Sequence, residues 1–61
     1  MYQDVRASDA ERDRVVERLR RALSQGRLTL EEYDSRVAAA YAAKTRGELS
    51  ALTRDLPGSL W

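Results

Sequence analysis

Arg18, Arg20, Arg21 and Arg27 stand together with no acid among them, and Glu31, Glu32 and Asp34 follow at once. Guanidinium groups at this density suit carboxylates or phosphates, and neighbouring carboxylates are the raw material of general acid–base work or cation binding. Each use needs more than the residue types. Acid–base catalysis requires a pocket that shifts a carboxyl pKa, and a domain of this size buries only about 60% of its unfolded surface, too little for a sizeable ligand cavity. A carboxylate-only metal site requires clustered spacing, which these acids lack. Cysteine and histidine are both absent, so disulfides, Cys/His zinc sites, thiol nucleophiles and imidazole bases are excluded together. The expectation is no enzyme, no catalytic residue, no metal and no cofactor.

The switch from arginines to acids has a simpler account in the elements that carry it. Cations complement the negative C-terminus of one helix and carboxylates the positive N-terminus of the next, each worth roughly 0.3–1 kcal/mol. Ser8-Asp9-Ala10-Glu11 reads as a capping box, so a first helix is predicted over 9–25, with Val15, Val16, Leu19, Ala22 and Leu23 on one stripe and Gly26 at its left-handed end. Thr29-Leu30-Glu31-Glu32 is a second box, with Leu28 placed to staple onto Tyr33, and opens a helix over 30–43 carrying Leu30, Tyr33, Val37, Ala40 and Tyr41 on one side. Thr45-Arg46-Gly47-Glu48 is a third box and opens a short helix over 46–55, stopped by Pro57-Gly58. The caps are thus Ser8, Glu11, Thr29, Glu32, Thr45 and Glu48. Glu17 with Arg21, and Glu32 with Arg36, are i,i+4 pairs in the favourable order.

Short links and no strand-like alternation indicate an all-α, compact three-helix domain: an antiparallel helical hairpin with a short third helix laid across it. The expected core is Leu19, Leu23, Leu28, Tyr33, Val37, Leu49, Leu52 and Leu56. Residues 1–7 are expected as a flexible arm, 8–57 as the helical domain and 58–61 as a linker stub. With 43% hydrophobic and 34% charged residues and a net charge of +1, the chain falls in the globular, soluble class. No window approaches the ~20 apolar residues of a spanning helix, and no signal-peptide core is present.

Two features do not fit the plain account. Projection at about 100° per residue puts Arg12 inside the apolar stripe of the first helix, so an inward carboxylate is expected as its partner, with Asp34 and Asp55 the candidates for a structural ion pair. Its guanidinium reaching water along an apolar stem is the alternative. The second helix is ringed by small residues, and Ala39, Ala42 and Ala43 form a candidate interaction surface, although alanine also serves simply as the best helix former.

Arg6-Ala7-Ser8-Asp9, Glu11-Arg12, Gly26-Arg27-Leu28, Glu32-Tyr33-Asp34, Arg36, Thr45 with Glu48-Leu49, and Asp55-Leu56-Pro57 occur in that order. On these motifs residues 5 to 57 resemble the actinobacterial SHOCT-like domain of unknown function. The resemblance implies a small helical module, usually at the N-terminus of a larger protein and often followed by membrane-spanning or envelope-associated segments, with no established activity. Ser35 departs from the glutamate that the resemblance leads one to expect.

The leading functional expectation is a non-catalytic protein-interaction or oligomerisation module, regulating a larger membrane-associated protein, with a protein partner or a second copy bound through helix two. The rival is a small helix-turn-helix-like nucleic-acid-binding domain, disfavoured because Glu31, Glu32 and Asp34 flank the arginines and the would-be reading helix lacks a basic or amide-rich start. Duplex DNA is expected to bind weakly and without sequence preference. The resemblance implies a cytoplasmic location at the inner face of the plasma membrane, with membrane contact through a segment following Trp61; Leu60-Trp61 suits an interface, and its folding back over the core of the bundle is the alternative.

Overall fold

The computed structural model describes residues 4–57. Three helices follow in order, α1 (Asp9–Ser24), α2 (Leu30–Ala42) and α3 (Arg46–Ala51), and no strand occurs among the described residues. The domain is all-α, and α1 is its hub, packing against both α2 and α3.

All three helices start on a complete capping box. Ser8 N–H donates to Glu11 Oε1 at 2.8 Å while Glu11 N–H donates to Ser8 Oγ at 3.1 Å. Thr29 and Glu32 repeat the exchange at 2.8 and 3.1 Å, and Thr45 and Glu48 at 3.0 and 3.2 Å. Each box satisfies two backbone donors that the first turn leaves without helical partners. α1 ends in a Schellman motif: Gly26 N–H donates to Leu23 O at 3.1 Å and Arg27 N–H to Ala22 O at 2.9 Å. The motif needs a residue at positive φ, and Gly26, at φ 75°, supplies it without a Cβ penalty.

The core centres on Val15, Leu19 and Ala22 of α1, Leu28 of the link, Ala40 of α2, Ala43, and Leu49 of α3. Tyr33, Val37, Leu52 and Leu56 close its margins half-buried. Leu23, expected inside, is half-buried and outside this cluster, because the link returns Leu28 onto that end of the core. The alanines have a geometric role. Helix separation depends on side-chain size at the contact, so the fully buried Ala22 and Ala40 let the helices approach closely.

Two boundaries differ from the sequence expectation. α3 ends at Ala51 rather than near 55, and the chain continues through tighter bonds from Leu52 N–H to Leu49 O, Thr53 N–H to Ser50 O and Leu56 N–H to Thr53 O. The Leu52 carbonyl, which a continuing helix would offer to Leu56 N–H, accepts instead from Arg36 Nη1 at 3.0 Å. Residues 5–7, expected in a loose arm, are docked: Ala7 N–H donates to Lys44 O at 3.0 Å and Arg46 N–H to Val5 O at 2.9 Å, forming an antiparallel bridge of Arg6 with Thr45. These bonds occupy the backbone of the α2–α3 link, whose polar groups need partners. The expected arm residues 1–3 and the stub 58–61 lie outside the described residues.

Candidate interaction surface

Arg12 does lean onto the core edge, but neither expected carboxylate meets it. Its Nε donates to Ala43 O at 3.0 Å and its Nη1 to Asp9 Oδ1 at 3.0 Å, within its own helix. Helix α2 has no basic residue in its last turn, and its terminal carbonyls carry partial negative charge. Arg12 supplies the missing cation from a neighbouring helix. Asp34 stays exposed on α2.

Asp55, the other expected partner, belongs to Arg36. The two form a bidentate pair, Nη1 to Oδ1 at 2.8 Å and Nη2 to Oδ2 at 3.0 Å, and Nη1 also holds the Leu52 carbonyl. The guanidinium hydrogen bonds hold the Asp55 carboxyl below its ordinary value, against a smaller opposing effect of desolvation. Glu32, expected opposite Arg36, is committed to capping Thr29. The pair Glu17–Arg21 forms as expected at 3.4 Å, with Arg20 joining it on Glu17.

On α2 the expected contact surface is re-drawn. Ala39 and Ala42 are exposed, but Ala43 is only 5% exposed, because its extended backbone (ψ 134°) ends the helix and turns the side chain inward. Leu30 and Tyr41, placed by the sequence on the same side as Tyr33, Val37 and Ala40 but not in the expected core, are 63% and 57% exposed. They share a line along the outside of α2, and projection at about 100° per residue places Asp34 beside them and Ala38, Glu31 and Ala42 next around the helix. The sequence carried a weak signal of this. Leu30 and Tyr41 sit at one edge of an apolar arc whose middle is Val37 and whose other edge is Tyr33 and Ala40, and a helix held close at Ala40 buries that other edge.

A second feature lies between α1 and α3, an open groove of about 360 Å³. Val15, Leu49 and Thr53 form its buried floor, and Arg14, Arg18 and Arg46 line it with Glu11. Arg46 Nε lies 2.6 Å from Glu11 Oε2 as an ion pair whose geometry is not that of an aligned hydrogen bond. The Ser8 backbone N–H, followed by the Arg46 charge, lowers the Glu11 pKa against the effect of desolvation. The sequence reading missed this groove, since its rim draws on residues 11 to 18 and 46 to 53. Among the described residues, no group of three or more His, Cys, Asp and Glu side chains is placed to hold a metal ion, and no helix is long and apolar enough to cross a membrane.

Comparison with known proteins gives one family and two relatives. The model of the DUF1707 SHOCT-like domain matches residues 5–57. Uncharacterized proteins of Mycobacterium tuberculosis, from strains CDC 1551 / Oshkosh and ATCC 25618 / H37Rv, are each 47% identical over 57 residues, covering 93% of this chain. The chain spans 28% of the length of these relatives. No solved structure matches it.

Proposed function

The chain belongs to the DUF1707 SHOCT-like domain family, and on that premise we propose that it is a non-catalytic interaction module, binding a protein partner or a second copy of itself and regulating a longer polypeptide. The observation that carries this reading is the outer face of α2, where Leu30 and Tyr41 stand exposed in line, bordered by Asp34, Ala38, Glu31 and Ala42. The two lie about 16 Å apart along the helix, and two large apolar groups exposed on one face and bordered by acids support a contact surface along its length. A place within a longer polypeptide is supported by the relatives, in which the matched region is a minor part. Location at the cytoplasmic face of a membrane is supported by the family resemblance alone.

A non-catalytic role is supported by the commitments of the acids: Glu11, Glu32 and Glu48 cap helices, Glu17 pairs with arginines and Asp55 holds Arg36. Duplex nucleic acid is the weaker reading. The groove arginines favour it, and Glu11 among them and the acids of α2 oppose it. Fluorescence anisotropy with a random duplex at physiological salt is expected to show no tight, sequence-selective binding.

The test of the leading reading is sedimentation velocity at high concentration on the wild type and on Tyr41→Glu. The wild type is expected to associate and the variant to sediment as a folded monomer. A strictly monomeric wild type removes the self-association half of the proposal.

A further inference from the structure

The geometry points to a specific occupant for the α1–α3 groove: the outer face of α2 from a second copy of this chain, so that copies associate head to tail. This inference rests on α2's outer face being a contact surface and adds what that face meets.

Complementary chemistry stands at two separate places on a domain whose net charge is only +1. The outer face of α2 presents Leu30 and Tyr41 with Glu31 and Asp34 beside them. It carries no cation, because Arg36 is turned onto Asp55. The groove has an apolar floor of Val15 and Leu49, its one acid, Glu11, is paired with Arg46, and Arg14 and Arg18 along one wall leave it net basic. The spacing also matches. Arg14 and Arg18 are four residues apart on α1, and Glu31 and Asp34 three apart on α2, so each charged pair spans about one 5.4 Å turn.

An α2-to-α2 contact lacks this match. Two acidic faces would meet with no cation to neutralise Glu31 and Asp34, and desolvating unpaired carboxylates is costly. Seating the N-terminal part of α2 in the groove gives those acids guanidinium partners and lays Leu30 on apolar surface, with Tyr41 farther along the same face. Such a contact joins different surfaces of the two copies, so every added copy leaves one face and one groove open, and association continues past the dimer. One helix face in one shallow groove is a small interface, so the isolated domain should associate weakly, and attachment to a larger assembly would strengthen it through local concentration.

The test uses two complementary variants of the full chain, each checked for helical circular dichroism. Arg14→Glu with Arg18→Glu destroys the groove and keeps the face; Leu30→Glu with Tyr41→Glu destroys the face and keeps the groove. In sedimentation velocity across the micromolar-to-millimolar range, the wild type should show mass rising past the dimer, and high salt should reduce it. Each variant alone should remain monomeric, and their equimolar mixture should stop at a dimer. Should the arginine change compromise folding, Arg14→Ala with Arg18→Ala should still lower association several-fold. Unchanged association of the arginine variants overturns the groove as receptor while leaving α2's face as the contact. Unchanged association of the Leu30/Tyr41 variant overturns the reading of that face as well. A wild type that stays monomeric throughout overturns head-to-tail association, and α2's face is then left to a partner of different sequence.

Discussion

The two long helices are held in place by different physics. α1 commits a stripe of Val15, Leu19 and Ala22 to the core, whereas α2 commits Ala40 alone to full burial and leaves Leu30 and Tyr41 in solvent. What α2 lacks in buried bulk it recovers in polar ties at its ends and flank: Arg12 of α1 on the carbonyl of Ala43, and its own Arg36 on Leu52 and Asp55. A helix fastened in this way keeps a free side. That difference is why the proposed contact is placed on α2 and not on α1.

The largest effect expected from this comparison is at Leu19. Its side chain is wholly buried, and Leu19→Ala should cost about 2–5 kcal/mol, comparable to the whole stability of so small a domain. Tyr41→Ala and Leu30→Ala should stay within about 0.5 kcal/mol of the wild type in urea unfolding at low protein concentration. Similar losses at Tyr41 and Leu19 would erase the distinction between the helices.

Arg36→Met should come next, removing three hydrogen bonds at once. Its signature is local: amide exchange at Thr53 and Leu56 should accelerate while the amides of α1 keep their protection, and the solvent-exposed Arg20→Met should change neither. Equal loosening of both regions would show that Arg36 supports the whole fold and not the segment after α3. Thr29→Ala follows, expected to cost about 1 kcal/mol through loss of one cap, measured as a lower denaturation midpoint with an unchanged slope.

What could be read from the sequence divides along the same lines as these contacts. The three capping boxes and the Gly26 motif were legible because their partners lie within five residues, where helix geometry alone sets who meets whom. Arg12 with Ala43, and Arg36 with Asp55, join residues 31 and 19 positions apart, and local geometry says nothing of such pairs. Arg12 leans inward as expected, but the carboxylate it meets is Asp9 of its own helix and not Asp34 or Asp55. Its second partner is the C-terminal end of α2, through the Ala43 carbonyl. Leu30, Tyr41 and Ala43 were misplaced for a related reason, since periodicity defines an apolar arc but only the partner helix and the chain's exit from α2 decide which part of that arc turns inward.

The smallest expected effect is on acid stability, and it distinguishes the capped ends from the free face of α2. Glu48 accepts from the backbone N–H of Lys44 at 2.6 Å and of Thr45 at 3.0 Å, and these bonds, in that order, lower its pKa. Glu11 and Asp55 are lowered as well, through the Ser8 backbone N–H and the Arg36 guanidinium. A carboxyl whose folded pKa lies below its unfolded value binds fewer protons in the native state, so it contributes stability that is present above the unfolded pKa, about 4, and is lost as pH falls through the folded value. With no histidine in the chain, the melting temperature should be nearly flat from about pH 5 to 8 and fall below about pH 4. Glu48→Gln keeps an acceptor oxygen but has no charge, so it should lower the melting temperature at neutral pH and lie close to the wild type at pH 3. Equal offsets at both pH values would mean that Glu48 acts through packing or shape alone, and that charge on the cap contributes nothing to holding α3 against α1.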